Sequence, residues 1–316
     1  MNAVELPRSD TREITTYSSW ATFRDCRMKF WWRYVEGIVP NVEDPALSFG
    51  SLIHEALRLW HQTRDLERVC EDIRLRSLKE EDRTHRLKAL AMIKGYAKAY
   101  PAESFEVVEL EKVFRGEIRN PETGCMSRSF VLSGRRDGLV REGGYYLFEH
   151  KTTTALDGGY LERLWCDFQI ALYTHYLQLE GFDVRGVIYN ILQKPALRRY
   201  EPSKKRTEPE TDEEYLARLR EKMAEPGMFH RETIVLSPAH VSMIQGELWD
   251  LCQSLLEARR RGSWYQNPSM CFKWNKPCPY WRLCRAEPKS RELIKQNFYT
   301  VVPPHEELRE DEEPVF

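Results

Sequence analysis

The amino-acid sequence predicts an α/β protein whose central elements follow the order αβββαβ. The first third of the chain has helical periodicity, three strand-like segments follow, and then come a helix and an apolar, β-branched strand. The 316 residues are 41% hydrophobic and 31% charged, which is typical of a folded globular protein and excludes a disordered or fibrous one. No segment has the roughly 20 consecutive apolar residues of a membrane helix. The polar N-terminus also lacks a secretory signal, so we expect a cytoplasmic protein without membrane contact.

Aromatic and aliphatic residues recur at helical spacing through residues 1–100, which we interpret as an N-terminal helical region. The pattern predicts helices at residues 18–36, 46–62 and about 66–99. The first of these carries tryptophan, phenylalanine and tyrosine with arginines and lysines between them. It is therefore predicted to be an aromatic and basic helix.

Strand-like segments at residues 105–114, 130–140 and 145–150 follow the helical region. The last two are separated by Arg-Glu-Gly-Gly, which favours a hairpin turn and therefore an antiparallel meander. The remaining predicted elements are a helix at 161–179 ended by Gly181, a strand at 184–192, a basic loop at 195–210, a further helix, a strand at 233–236 and a helix at 238–261.

Charge is unevenly distributed beyond this core, which we place at residues 101–262, although the net charge is only -1. We divide the remainder into a cysteine-rich segment at 263–287 and an acidic tail at 288–316. Residues 257–285 contain seven lysines or arginines and one acid, whereas residues 305–316 contain six acids and one arginine. Local basic patches, rather than the net charge, bind phosphates, so the composition allows a nucleic-acid partner.

Two carboxylates and a lysine lie in neighbouring predicted strands. Asp137 is in one strand, and Glu149 and Lys151 lie two residues apart near the end of its hairpin partner, so these two share a face. Adjacent carboxylates bind Mg²⁺ or Mn²⁺, and a nearby ammonium can orient or help to deprotonate a water for phosphodiester hydrolysis. The spacing alone is also common among solvated strand-end charges. Here the apolar run at 146–148 leads directly into the charges, which would be costly without partners.

These segments resemble the PD-(D/E)XK nuclease superfamily, and specifically the RecB-like branch that includes CRISPR adaptation nucleases and many phage exonucleases. The segment Gly134-Arg-Arg-Asp137 is similar to the first acidic motif of that branch, with Arg136 in place of the more usual proline. The segment Glu149-His150-Lys151 matches the (D/E)XK element. The resemblance implies a restriction-endonuclease-like fold with a mixed central sheet, and it implies that Asp137, Glu149 and Lys151 are catalytic.

Two further segments extend the resemblance. Gln169-Ile-Ala-Leu-Tyr173 is similar to the QxxxY element, whose first and last residues share a helix face. The resemblance implies that Gln169 and Tyr173 contact DNA and support the active site. Phe49-Gly-Ser-Leu-Ile-His54 resembles the helical motif whose histidine is an additional metal ligand, although a lone histidine among apolar residues is more often part of a core. The family geometry would also make the carbonyl of His150 a metal ligand.

Four of the eight cysteines form a distinct pattern. Cys26 lies in the first predicted helix, and Cys271, Cys278 and Cys284 lie within fourteen residues of one another among prolines, which favours a loop around a metal. The remaining cysteines are scattered, and the absence of a secretory signal predicts that they are reduced thiols. Their simplest interpretation is as core or incidental residues, at positions Cys70, Cys125, Cys166 and Cys252.

The segments FRDCRMKFWWRYVEG and CPYWRLC resemble the iron-sulfur nucleases of the RecB-like branch, which supply one cysteine before the nuclease motifs and three after them. The resemblance implies that Cys26, Cys271, Cys278 and Cys284 bind a structural 4Fe-4S cluster that joins the two chain ends. The six residues between Cys271 and Cys278 depart from the tighter C-x2-C spacing of many relatives. Zinc is the principal alternative because four thiolates also bind Zn²⁺. The simplest alternative is that the three C-terminal cysteines are incidental and bind no metal.

Basic and aromatic residues near the cysteines favour single-stranded DNA, through phosphate contacts and base stacking. They are Arg24, Arg27, Lys29, Trp31, Trp32, Arg33, Arg259–Arg261, Lys273, Trp274 and Lys276. Aromatic residues at helical spacing are more often core, so the charges are the stronger candidates for contact. The acidic tail ending at Glu310–Phe316 is most simply a solvated end; it could also dock a recombination or replication protein, or mimic DNA.

The sequence thus predicts a Mg²⁺- or Mn²⁺-dependent exonuclease that hydrolyses phosphodiester bonds at DNA ends. The resemblance implies a role in phage or bacterial recombination, replication, repair or CRISPR adaptation. The alternative from a different class is a non-catalytic DNA-binding or adaptor subunit that retains the fold and a structural iron-sulfur or zinc site. Such a subunit would bind DNA without Mg²⁺ and would be unaffected by Lys151→Ala.

Overall fold

The computed structural model describes residues 11–42, 45–76, 83–202, 207–273, 276–305 and 308. Its helices are α1 (Tyr17–Asp25), α2 (Arg27–Phe30), α3 (Pro45–Thr63), α4 (Leu66–Arg76), α5 (Arg83–Ala99), α6 (Gly158–Leu164), α7 (Phe168–Leu179), α8 (Asp212–Met223), α9 (Pro238–Arg261), α10 (Trp281–Arg285) and α11 (Pro288–Phe298). Its strands are β1 (Glu13–Thr15), β2 (Ile38–Pro40), β3 (Glu106–Arg119), β4 (Met126–Arg141), β5 (Tyr145–Thr153), β6 (Val184–Gln193), β7 (Phe229–Val235) and β8 (Tyr299–Val301). None of these helices combines the length and the apolar character needed to cross a bilayer.

Six strands form one mixed sheet in the order β1-β4-β5-β6-β7, with β3 paired to β4. Strands β3, β4 and β5 are the predicted antiparallel meander, and β5 pairs in parallel with β6 after the crossover through α6 and α7. The hairpin turn between β4 and β5 contains Gly143 at φ 64°, a left-handed conformation that suits glycine. The predicted αβββαβ order and the mixed sheet are therefore confirmed. Strand β1, which pairs in parallel with β4, was not predicted.

Three predicted helices are interrupted. Cys26 has an extended backbone, with φ -163° and ψ 117°, and it separates α1 from α2 and from the π-helical turn Trp31–Val35. The predicted helix at 66–99 is α4 and α5, and residues 77–82 between them lie outside the described part of the chain. The predicted helix at 161–179 is α6 and α7. Periodicity does not reveal these breaks because the segments on both sides bury the same kind of apolar face, as Phe23 and Phe30 do in one cluster.

The sheet is covered by helices on both faces, as its burial pattern requires. On one face the residues of β4 and β5 pack with those of α1, α7 and α9, as Phe130, Leu147, Leu172 and Leu255 illustrate. On the other face Phe148 packs with Val140 and Ile188, and the ring of His61 from α3 lies 5.2 Å from the Phe148 ring. A separate apolar cluster joins α3, α4, α5 and α8. The candidate catalytic residues lie where the helical region meets the sheet.

The two ends of the described chain meet in a small antiparallel sheet of β2 and β8. The hydroxyl of Tyr280 donates to the carbonyl of Ile38 at 2.7 Å, and Lys295 pairs with Glu36 at 2.8 Å. Trp32, Leu283 and neighbouring apolar residues bury the contact. The sequence predicted that the ends would be joined through cysteines, but it did not predict this backbone pairing or helix α11.

Candidate active site

Asp137 and Glu149 are brought together by the register of β4 and β5. Gly138 pairs with Phe148, so the register continues to Asp137 opposite Glu149. The backbone N–H of His150 donates to Oδ2 of Asp137 at 2.8 Å. The antiparallel pairing therefore places the two carboxylates side by side, as the sequence predicted.

His54 of α3 lies against Asp137, with Nδ1 at 3.4 Å from Oδ1. Burial by itself would lower the pKa of His54, but the Asp137 carboxylate raises it to about 9. Conversely, burial would raise the pKa of Asp137, but the His54 charge and the His150 amide hold it well below its usual range. Without a cation the two side chains thus form an ion pair, and a metal ion would have to displace the His54 proton.

Glu149 is 2% exposed and is held by Lys151, whose Nζ donates to Oε1 at 2.8 Å. Its other oxygen, Oε2, is buried and has no hydrogen-bond partner in the described part of the chain. Burial and the negative charge of Asp137 raise the pKa of Glu149 to about 7. A buried acceptor with no donor is costly unless a further partner is bound there.

Glu111 of β3 is a candidate ligand that sequence reasoning missed. Leu110 pairs with Gly138 and Lys112 with Arg136, which places Glu111 opposite Asp137. One ligand atom from each of His54, Glu111 and Asp137 lies within 4.8 Å of the others. Burial and the Asp137 charge raise the pKa of Glu111 to about 8. The strand pairing is the signal that identifies Glu111, and pairing is not visible in the sequence alone.

The backbone of Glu111 is unusual because its φ is 48°, in the left-handed region that β-strand residues other than glycine rarely adopt. Such conformations cost of order 1–3 kcal/mol and cluster at functional sites. The residue with this unusual backbone is thus also a member of the candidate metal group.

Asp167 is a second residue that the sequence analysis did not select. Its carboxylate caps α7 by accepting the N–H of Gln169 at 3.0 Å, and its Oδ2 lies 3.7 Å from Nζ of Lys151. The hydroxyl of Tyr189 also donates to Oδ2 at 3.3 Å. Burial would lower the pKa of Lys151, but Glu149 and Asp167 together hold it above its usual range. Lys151 is therefore a fixed cation between two carboxylates.

Gln169 and Tyr173 share one face of α7, as predicted. The Tyr173 ring packs edge-on against Phe114, and its hydroxyl lies only 2.9 Å from the position that a Cβ on Gly134 would occupy. Burial and the Glu149 charge raise the pKa of Tyr173 above its usual range. Gly134 thus makes room for Tyr173 beside the carboxylates, and Tyr173 is only 5% exposed.

Arg136, which stands in place of the more usual proline in the first acidic motif, has a structural role. It is 1% exposed, and it forms ion pairs with Glu180 at 2.9 Å and with Glu109 at 3.1 Å. Its guanidinium also lies over the ring of Phe114. Arg136 thus ties β4 to β3 and to the end of α7, which fixes the strand that carries Asp137.

A buried polar layer supports His150. The His150 ring stacks on His61 with centroids 5.7 Å apart, and its Nδ1 is hydrogen-bonded to the Asn190 side chain at 3.0 Å. Burial lowers the pKa of His61 to about 4 and places that of His150 well below its usual value. Both rings are therefore neutral at physiological pH, so they position the strand without adding charge.

This set of side chains fits a divalent cation. It offers several carboxylate oxygens, which are the ligands that Mg²⁺ and Mn²⁺ prefer, together with one imidazole nitrogen. The charge of Asp137 raises the pKa of Glu111 and of Glu149, and Oε2 of Glu149 has no donor among the described residues. A bound cation would relieve both conditions.

The four predicted cluster cysteines line a single cavity of about 240 Å³. The extended residue Cys26 reaches it from the break between α1 and α2, where its sulfur accepts the backbone N–H of Asn267 at 3.4 Å. Cys278 and Cys271 are linked by a backbone hydrogen bond of 2.7 Å. Burial raises the pKa of Cys278 and of Cys284. The structure thus brings together cysteines that are more than 240 residues apart in the chain.

The sequence model of the PD-(D/E)XK nuclease superfamily matches residues 15–285. The chain belongs to this superfamily. The matched region includes every residue of the metal group, Lys151 and all four cysteines of the cavity. No curated protein sequence matches the chain. Membership implies a nuclease that binds DNA, which agrees with the arrangement of buried carboxylates and lysine.

Proposed function

We propose that this PD-(D/E)XK nuclease is a Mg²⁺- or Mn²⁺-dependent exonuclease that removes nucleotides from DNA ends. The observation that carries the proposal is the buried pair Asp137 and Glu149. Lys151 donates to one oxygen of Glu149, and no described residue donates to the other. Burying these carboxylates costs folding free energy, and a protein that only binds DNA would gain nothing from it. A protein that must hold a cation against a phosphate needs such carboxylates.

His54, Glu111, Asp137 and Glu149 would hold one or two divalent ions, and the carbonyl of His150 is a further candidate. When bound, such an ion supplies the positive charge that stabilises the scissile phosphate during hydrolysis. Lys151 keeps its proton between two carboxylates, so it donates hydrogen bonds and orients the attacking water.

Gln169 and Tyr173 complete the proposed site from α7. Gln169 is half-buried and lies on the same face of α7 as Tyr173. We propose that its amide contacts the DNA strand. Tyr173 is buried and serves mainly to hold Gln169 and the carboxylates in place.

We further propose that Cys26, Cys271, Cys278 and Cys284 bind a structural 4Fe-4S cluster, with zinc as the alternative. Lys29 and Lys273 line the same cavity and would offset the negative charge of four thiolates.

End-directed action, and a role in phage or bacterial recombination, replication, repair or CRISPR adaptation, rest on the resemblance to the RecB-like branch. Single-stranded DNA or DNA with free ends is the proposed substrate. The basic and aromatic residues near the cysteine cavity support a DNA partner. Trp274 and, within the acidic tail, residues 306–307 and 309–316 lie outside the described residues.

The test compares labelled linear DNA with covalently closed circular DNA, with Mg²⁺, Mn²⁺ or EDTA, using anaerobically purified protein. We expect the wild type to shorten linear DNA and to leave closed circles intact. Asp137→Ala and Lys151→Ala should bind but not cut, whereas the exposed Lys289→Ala should behave as wild type. Cutting of closed circles would overturn end-directed action. Binding without cutting under either metal would overturn catalysis and favour a DNA-binding subunit.

A further inference from the structure

A cavity of about 970 Å³ lies beside β1 and the π-helical turn. Its walls combine aromatic and basic side chains, including Trp31, Tyr34, Trp264, Arg12, Arg115 and Arg259. Aromatic faces stack on nucleobases and guanidinium groups bind phosphates, so this combination suits a nucleic-acid strand. The cavity contains none of the carboxylates of the metal group.

The aromatic wall is built by contact between two distant segments. The rings of Trp31 and Trp264 lie 5.0 Å apart, and Phe30 stacks parallel to Trp264 at 6.3 Å. Trp32, in contrast, is buried in the apolar contact of the chain ends. Trp31 and Trp264 remain half-buried, so each presents part of an indole to the cavity.

Two arginines of the basic wall form ion pairs with glutamates, and the third is available to bind an anion. Arg12 is paired with Glu117, and Arg259 is paired with Glu13. Arg115 is exposed and forms no ion pair with any described residue. The positive charge of Arg115 is therefore available for an anionic ligand at the edge of the cavity.

The cavity and the candidate active site lie along the same pair of strands, β3 and β4. Arg115 is four residues from Glu111 on β3, and its partner Ser133 is four residues from Asp137 on β4. At a rise of about 3.3 Å per residue this separation is about 13 Å. A stacked DNA strand covers this distance in about four nucleotides, at about 3.4 Å each.

We propose that this cavity binds an unpaired segment of the DNA strand about four nucleotides from the scissile phosphate, with Arg115 on a phosphate and Trp31 against a base. The inference rests on the proposed function and adds to it a substrate requirement. The nuclease would need single-stranded DNA on one side of the cut, and it would act poorly on strands too short to span both sites.

The first test measures binding of fluorescein-labelled oligothymidylate to the full-length protein in EDTA, where cleavage does not contribute. Arg115→Ala should weaken binding and reduce the salt dependence by the equivalent of one phosphate, a slope change of about 0.7. Arg185→Ala is the matched control, because Arg185 is also exposed on a strand of this sheet but lies outside the cavity. Equal binding and equal slopes for the two variants would overturn the inference.

The second test addresses the aromatic wall. Trp31→Ala should weaken oligothymidylate binding about tenfold through loss of stacking, and Trp31→Phe should restore most of it. The thermal unfolding of both variants identifies any loss of folding. If a folded Trp31→Ala binds as the wild type does, no base stacks on Trp31 and the inference is wrong.

The third test separates this inference from the proposed function. In Mg²⁺, cleavage by the wild type should fall for oligonucleotides shorter than about four nucleotides, and Arg115→Ala should raise KM for long strands only. If Asp137→Ala abolishes cleavage while Arg115→Ala changes neither KM nor its length dependence, the nuclease assignment stands and this inference fails. If no protein cuts but Arg115→Ala still loses binding, the proposed catalysis fails and the strand-binding site stands.

Discussion

The carboxylate of Asp167 lies 3.7 Å from the ammonium of Lys151, which also donates to Glu149 at 2.8 Å. Lys151 is thus fixed from two sides, by Glu149 of its own strand and by Asp167, the N-cap residue of α7. This contact makes the start of α7 part of the candidate active site, whereas the sequence motif begins two residues later at Gln169.

Asp167 has two separable roles, and the variants Asp167→Asn and Asp167→Ala distinguish them. Asparagine caps a helix about as well as aspartate, so Asp167→Asn should remain as stable as the wild type while losing the charge beside Lys151. We expect kcat for DNA cleavage to fall about tenfold with little change in KM. Asp167→Ala should also lose about 1 kcal/mol of unfolding free energy. Unchanged kcat in Asp167→Asn would show that the charge does not act on Lys151.

Glu111 is predicted to be a metal ligand. Glu111→Gln should weaken Mn²⁺ binding, measured by isothermal titration calorimetry, by more than about tenfold because one anionic ligand is lost. Glu122→Gln is the control, since Glu122 is exposed in the turn between β3 and β4. Equal Mn²⁺ affinities for the two variants would place Glu111 outside the coordination sphere.

The unusual backbone conformation of Glu111 predicts that replacing this residue by glycine stabilises the fold but impairs DNA cleavage. Glycine adopts φ 48° without the steric cost that glutamate incurs. Replacing Glu111 by glycine would also remove a buried carboxylate. Glu111→Gly should therefore raise the unfolding free energy by about 1 kcal/mol while DNA cleavage falls. Chemical denaturation and the linear-DNA assay measure the two effects. A variant that is both less stable and less active would contradict this account.

The cysteine cavity predicts a defined metal content. Cys26→Ser should lose iron, acid-labile sulfide and visible absorbance together, and its thermal unfolding temperature should fall because the cluster joins distant segments. Cys125→Ser, at an exposed cysteine outside the cavity, should keep all three. Zinc without iron in the anaerobically purified wild type would instead favour the zinc alternative.

Two glycines predict opposite effects on stability. A Cβ on Gly186 would lie 2.2 Å from the carbonyl oxygen of Ile234, so Gly186→Ala must push β6 and β7 apart. We expect a loss of 1–3 kcal/mol or more, of about the size of other overpacked cores. Gly246 lies within α9, and no atom of the described residues lies within 4 Å of the position its Cβ would take, so Gly246→Ala should raise the unfolding free energy by about 0.8 kcal/mol. Urea denaturation of both variants measures their unfolding free energies. If Gly186→Ala is as stable as Gly246→Ala, the close contact between β6 and β7 at Gly186 is refuted.

The sequence by itself determined the order of the core elements and the nuclease motifs. Alternation and turn residues identified β4 and β5, and the spacing of Glu149 and Lys151 placed them on one face. These are local properties, in which each residue depends on neighbours a few positions away. Helix breaks were missed for the same reason: the extended backbone of Cys26 leaves the apolar pattern on either side unchanged.

Only the tertiary structure decided which distant residues complete the sites. Glu111 lies with Asp137 because of the register of β3 on β4, and Asp167 reaches Lys151 because α7 begins beside the end of β5. The pairing of β2 with β8 joins segments about 260 residues apart, at opposite ends of the chain. Strand register and helix docking depend on packing between segments remote in sequence, and a pattern read along a single chain carries no information on either.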